Sequence, residues 1–183
     1  MTEVHTNLFV GSQADLTPTV HDYAIVHAAK DPWHRQAVGY TERAAPKDHP
    51  EYLFAHRRNR LSLNLIDAAY PQFIPDAVMD EGCKFIGKHL AAGSKVLVHC
   101  NQGQSRGPGL AFYYLWKSAL LPEEFEVALA EFKKVYPAFN PASGILGFLK
   151  VRCVKRGEVL QAETIEEQSE GPVSDEEFLA RFG

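Results

Sequence analysis

Residues 99–106 read His99-Cys100-Asn101-Gln102-Gly103-Gln104-Ser105-Arg106, and they follow the apolar run Val96-Leu97-Val98. The pattern predicts a buried strand that delivers a thiol into a tight polar loop, with Gly107-Pro108-Gly109 opening a helix behind it. Backbone N–H groups of such a loop converge on an anion, and the positive end of the helix adds to their field. Gly103 supplies a residue free to take positive φ, and Pro108 suits a first helical turn. Arg106 offers a planar fork matched to two phosphate oxygens. The field that holds a phosphoryl group also favours the thiolate of Cys100 over its thiol, so one site would both bind phosphorus and attack it. A buried structural cysteine is the rival reading. The strand, Gly, Arg and helix opening together weigh against it at Cys100, whereas Cys83 and Cys153 lack such surroundings and read as structural.

Attack at phosphorus expels an alkoxide or phenoxide, which needs a proton from a group on a separate loop. Asp67 follows the apolar segment Leu61–Ile66 and stands 33 positions before Cys100. Protonated, it donates to the leaving oxygen; ionised, it takes a proton from water. A turn or cap role is its competing reading. Asp76 and Asp80 rank below it, as exposed positions of a helix. His99 is expected to organise the loop and bias the ionisation of Cys100 without touching substrate. The eight histidines show no zinc-type spacing with cysteine, so neither a metal nor a cofactor is expected.

His-Cys-x2-Gly-x2-Arg after an apolar strand resembles the signature of the cysteine-dependent protein tyrosine phosphatases, nearest to the compact dual-specificity type. Asn7–Ser12 resembles the opening strand of that group, Leu61–Asp67 the segment carrying its general acid, and Leu110–Trp116 the helix after its loop. The likeness covers residues 5–153 apart from a stretch at 30–58. Low-molecular-weight phosphatases place their Cys-x5-Arg loop near the N-terminus, and the rhodanese-like phosphatases match the Asp67 segment less well. The resemblance implies an α/β fold, a three-layer sandwich whose central, mostly parallel sheet is flanked by helices. It also implies Cys100 as nucleophile, Asp67 as acid, and Asn101, Gln102, Gly103, Gln104, Ser105 and Arg106 as the phosphate loop, supported by His99. One departure stands out. The family usually carries Ser or Thr after the arginine, implicated in stabilising the departing thiolate, and this chain has Gly107. Ser105, Gln102 and Gln104 are the candidates to replace it.

The elements that must position these groups follow from periodicity and punctuation. Leu8–Gly11, Tyr23–Ala28, Leu61–Ile66 and Lys95–His99 read as strands. Residues 73–92 carry apolar positions at helical spacing and end at Gly93. Helices are expected at 108–120, 123–135 and 142–155. Residues 30–60, broken by Pro32, Gly39, Pro46 and Pro50, read as loop. Strands alternating with helices point to a layered α/β domain.

Length and composition allow one domain. The expected division is a catalytic domain over 1–156, with an unusual insert at 30–60, and an acidic C-terminal tail over 157–183. The net charge of −4 hides an asymmetry. The tail holds eight acids and one base, leaving 18 basic and 15 acidic residues in the body, a mildly basic surface suited to an anionic substrate. The tail reads as a solvated extension, with capping-box spacing at Ser174–Glu177 and a docking role as the minor alternative. No run of 18 apolar residues predicts a membrane span, and no secretory signal opens the chain. Three cysteines argue against a disulfide framework, and a reactive thiolate needs reducing surroundings, so a cytoplasmic location is expected.

The expected partner is a phosphorylated protein or a small phosphorylated substrate, without membrane contact. The aromatic and basic residues of 30–60 could equally stack and pair with a nucleotide or an RNA 5′ end, a less favoured partner, or simply close the core edge as a surface loop. Asn101, Gln102 and Gln104 stand where phosphoinositide phosphatases of the superfamily carry lysines, which argues against a highly charged inositide. Three functions stay open: a protein tyrosine or dual-specificity phosphatase, the same chemistry on a nucleotide, RNA end or metabolite, and a phosphate-binding module with low turnover.

Overall fold

The structure, a computed structural model, describes residues 1–154; the acidic tail lies outside them. Its six strands are β1 (Thr2–His5), β2 (Leu8–Ser12), β3 (Ala24–His27), β4 (Phe54–Arg57), β5 (Arg60–Leu63) and β6 (Val96–Cys100). They form one sheet in the order β1-β2-β6-β3-β5-β4. The four inner strands are parallel, and the two edge hairpins, β1–β2 and β4–β5, are antiparallel. This is the expected mostly parallel sheet.

Central parallel strands are covered on both faces and therefore read as continuous apolar runs. β6 shows this: all five of its residues are buried. Burial of each large apolar side chain contributes roughly 1.5–3 kcal/mol. The covering helices are α1 (Arg35–Val38), α2 (Asp76–Ala91), α3 (Arg106–Lys117), α4 (Phe125–Val135) and α5 (Ser143–Arg152). Gly82 lets α2 and α3 touch, since a Cβ there would meet Leu110 at 2.7 Å. Phe112 of α3 packs on Phe132 of α4 at 5.6 Å between ring centroids, and both pack on Phe139. No helix among the described residues is long and apolar enough to cross a membrane.

Because β2, β3, β5 and β6 run the same way, Ser12, His27 and Cys100 come out at one edge of the sheet, and the chain leaving β5 leads there to Asp67. That carboxyl edge is where open α/β sheets place their sites.

The segment expected as loop is more ordered than its prolines suggest. Lys30–His34 forms a wide helical turn, α1 follows, and Phe54–Arg57 pairs with β5 as an edge strand. Phe54-Ala55-His56-Arg57, two apolar residues followed by two polar ones, carries no period-two signal for a strand; the hairpin around Arg58, at φ +54°, supplies the pairing. β1, which the sequence reading did not include, likewise becomes a strand by pairing with β2, and the α-helices differ at their ends. α2 starts at Asp76, behind a short 3-10 turn over Pro71–Phe73, and α3 starts at Arg106.

Candidate active site

Cys100 is the last residue of β6 and Arg106 the first of α3, so five residues turn the chain from strand to helix. Gly103 makes the turn at φ +73°; a Cβ there would meet Gly11 O at 2.9 Å and the Tyr136 hydroxyl oxygen at 3.1 Å. The carbonyls of the loop are tied from outside. Asn101 O accepts from Gln13 N–H at 3.3 Å, Gly103 O from the Tyr136 hydroxyl at 2.8 Å, and Gln104 O from Asn140 N–H at 2.8 Å. Among the described residues nothing takes up the backbone N–H groups of 102–105. Successive backbone amides without protein partners in a tight turn form a concavity suited to an anion.

Arg106 donates from Nη1 to Leu65 O at 3.3 Å, while its Nε is buried without a partner. The fork is thus tethered to the acid segment on one side and retains donor capacity on the other. Asp67 is reached through Ser105. The Ser105 hydroxyl donates to Asp67 Oδ1 at 3.0 Å and its oxygen accepts from Ala142 N–H at 3.0 Å. Ser105 is the N-terminal flanking residue of α3, yet its hydroxyl does not cap that helix. The first-turn amides are therefore free to face an anion. The start of α5 clamps the acid segment further: Gly144 N–H donates to Ala68 O at 3.1 Å and Ser143 Oγ to Ala69 O at 2.7 Å. Asp67, Cys100, Asn101, Gln102, Gln104, Ser105 and Arg106 line one open cleft of about 350 Å³, closed on one side by Asn140, Pro141 and Ala142.

Behind the loop lie two histidines. His99 is fully buried, its Nε2 stands 2.6 Å from His27 Nδ1, and its Nδ1 stands 3.3 Å from Cys100 O. Trp33 stacks on His27 at 4.6 Å and meets His99 edge-on at 5.1 Å. Burial pushes His27 down to about 3 and His99 down to about 4, so both are neutral at neutral pH.

The glycine at 107 has a steric reason. A Cβ there would come within 2.9 Å of His99 C and 3.0 Å of Cys100 N, both backbone atoms. The first turn of α3 sits too close to β6 for the hydroxyl expected at this position.

The fold thus brings together every candidate site residue read from the sequence. Asp76 and Asp80 stay out of the cleft, in ion pairs with Arg152 and Lys117. Cys83 and Cys153 are buried, and burial pushes the Cys83 thiol up. Sequence reasoning missed Asn140 and Ala142, His27 and Trp33, and Tyr136. Asn140-Pro141 before a helix carried a turn signal that pointed to the wall of the cleft; a histidine closing a strand carried none.

No protein-family model matches the chain, and no curated protein sequence does either. Its fold is that of the dual-specificity phosphatases. The structure of human DUSP28 superposes with a TM-score of 0.61 at 20% identity, over 89% of this chain and 99% of that one. DUSP15 gives 0.58 at 18% identity, over 94% and 98%. PTPMT1, solved in complex with PI(5)P, gives 0.57 at 16% identity, over 88% and 97%.

Proposed function

We propose that this chain is a phosphomonoester hydrolase that works through a cysteinyl-phosphate, acting on phosphorylated tyrosine or with dual specificity on protein side chains. The observation that carries this reading is one cleft lined by a thiol, a guanidinium and a carboxyl group, around amides that have no other partner.

In the first step the Cys100 thiolate attacks phosphorus opposite the ester oxygen. The S–P bond forms as the P–O bond breaks, and Asp67 gives its proton to the departing oxygen. The loop amides and Arg106 hold the equatorial oxygens, whose charge they stabilise most strongly in the transition state. In the second step water attacks phosphorus, the Asp67 carboxylate takes its proton, and the thiolate leaves with inorganic phosphate as product. With no hydroxyl at 107, and with the Ser105 hydroxyl engaged by Asp67 and Ala142, the cleft-lining carboxamides of Gln102, Gln104 and Asn140 are candidates to orient that water.

A second reading, a non-protein phosphate ester, draws on the fold shared with the PI(5)P-bound PTPMT1 and on the basic 30–60 segment. Three cations of that segment weaken it. Arg35 pairs with Asp31, Arg57 with Glu51, and Lys30 donates to Arg43 O, so they hold the segment together rather than face a ligand.

The deciding experiment compares hydrolysis of an aryl phosphate by the wild-type chain, Cys100→Ser and Asp67→Asn. The expected result is turnover abolished by the first change and phosphocysteine trapped from the wild type by acid quench. Undiminished turnover by Cys100→Ser would overturn the proposal. A panel of phosphopeptides, nucleotides, RNA 5′ ends and inositides then separates the two substrate classes.

A further inference from the structure

The hydrogen bond between His27 and His99 fixes more than packing. A carbonyl only accepts, so the 3.3 Å approach of His99 Nδ1 to Cys100 O requires the proton of His99 on Nδ1. His99 is neutral, so its Nε2 carries a bare lone pair. The 2.6 Å contact then requires a proton on His27 Nδ1. The two rings form a single directed chain: His27 Nδ1–H to His99 Nε2, then His99 Nδ1–H to the carbonyl of the cysteine itself.

The surroundings hold this chain in one arrangement. Trp33 lies flat on His27, at 8° between planes, and stands at 87° to His99. β3 and β6 are locked beside each other by the parallel pair His27–His99, and Ala28 N–H donates to His99 O at 2.8 Å. The charged groups bearing on the two rings are Arg60, at the start of β5, and Asp15, after β2.

We propose that His27 is a positioning residue for the nucleophile: by donating to His99 Nε2 it sets the tautomer that anchors the carbonyl of Cys100, and with it the angle at which the loop presents its thiolate. The role rests on the functional reading above for its effect on turnover. Its effect on His99 and on the reactivity of Cys100 is independent of turnover. Trp33 gives the 30–60 segment a part in the site without touching substrate, because it is the surface on which His27 rests.

Asparagine and leucine make a matched pair for the test. Nδ2 of Asn stands the same number of bonds from the backbone as Nδ1 of His, and Cδ1 of Leu occupies that place without a proton to give. Three readouts apply to His27→Asn and His27→Leu in the full chain: the His99 tautomer from long-range ¹H–¹⁵N spectra, the alkylation rate of Cys100 by iodoacetamide between pH 5.5 and 8, and kcat and KM on an aryl phosphate. The expected wild-type tautomer is Nδ1–H. The asparagine variant should keep it, alkylate at the wild-type rate and hold kcat within about 3-fold. The leucine variant should admit the Nε2–H form, slow alkylation near neutral pH and lose about 10-fold or more in kcat with KM nearly unchanged, as positional errors near a reacting atom do.

An Nε2–H proton on His99 of the wild type would overturn the proposal, as would a folded leucine variant that matches the asparagine variant in alkylation and kcat. Should the leucine variant fail to fold, the tautomers of the wild type and of His27→Asn decide the matter. A wild-type chain with the Nδ1–H tautomer and a donor-dependent alkylation rate, but no turnover, would reject the phosphatase reading and uphold this one.

Discussion

The hydroxyl of Ser105 donates to Asp67 Oδ1 at 3.0 Å, so the loop that holds the thiol also holds the acid. Two groups 33 positions apart in sequence are referenced to one side chain. The Ala142 N–H fixes that side chain in turn, at 3.0 Å.

This link predicts a dependence on the leaving group. Asp67→Asn should lower kcat about 10²–10⁴-fold for esters whose alcohol must be protonated to leave. The loss should be much smaller for an aryl ester with an acidic phenol. Ser105→Ala should follow the same trend at about a tenth of the magnitude, because it frees the acid without removing it. Steady-state rates over a series of substituted phenyl and alkyl phosphates test both.

Restoring the missing hydroxyl should not help. Gly107→Ser forces a Cβ to within 2.9 Å of the His99 backbone, an overpacked contact that costs about 1–3 kcal/mol. The midpoint of urea unfolding should fall accordingly. Rapid-quench measurement should show hydrolysis of the phosphocysteine no faster than in the wild type.

Gly103→Ala should be harmful for two reasons. A residue with a Cβ held at φ +73° costs about 1–2 kcal/mol, and the new Cβ also meets the carbonyl oxygen of Gly11 at 2.9 Å. Tyr136→Phe removes the hydroxyl that holds the same residue from the other side, a loss of about 1 kcal/mol. Both variants should bind inorganic phosphate or vanadate more weakly, measured as competitive inhibition.

The buried histidine pair predicts how stability depends on pH. Both folded values, about 3 for His27 and about 4 for His99, lie below the ordinary 6.5 of an unfolded histidine. Between those limits the unfolded chain binds more protons, so stability rises with pH there. The contribution is complete above about pH 6.5. It is lost progressively on acidification toward pH 4, by up to about 1.4 kcal/mol per pH unit for each ring. Urea midpoints from pH 7.5 to 4.5 should show this slope, and His27→Asn should flatten it.

Much of this could be read from the chain. The run Val96-Leu97-Val98 before His99-Cys100 determines a buried strand flanked by parallel strands on both sides, and Gly103 and Arg106 fall where turn and helix start require them. The acid was legible because a polar residue ends an apolar segment at the same sheet edge. What escaped was long-range. The stack of Trp33 on His27 joins residues whose local signals were a broken loop and a strand end. Phe54–Arg57 became a strand through pairing with β5 rather than through any alternation of its own. The steric need for glycine at 107 depends on how closely α3 lies against β6, which no local pattern encodes.

Gly144 places the backbone of α5 so near the acid segment that a Cβ would sit 2.2 Å from Ala68 O. During synthesis, the thiol loop receives its outside ties only once Tyr136 and Asn140 have followed α3. It gains a placed proton donor only when residues 142–144 have followed. Along the direction of synthesis the phosphate-binding cradle is therefore specified first and the reaction centre is completed last.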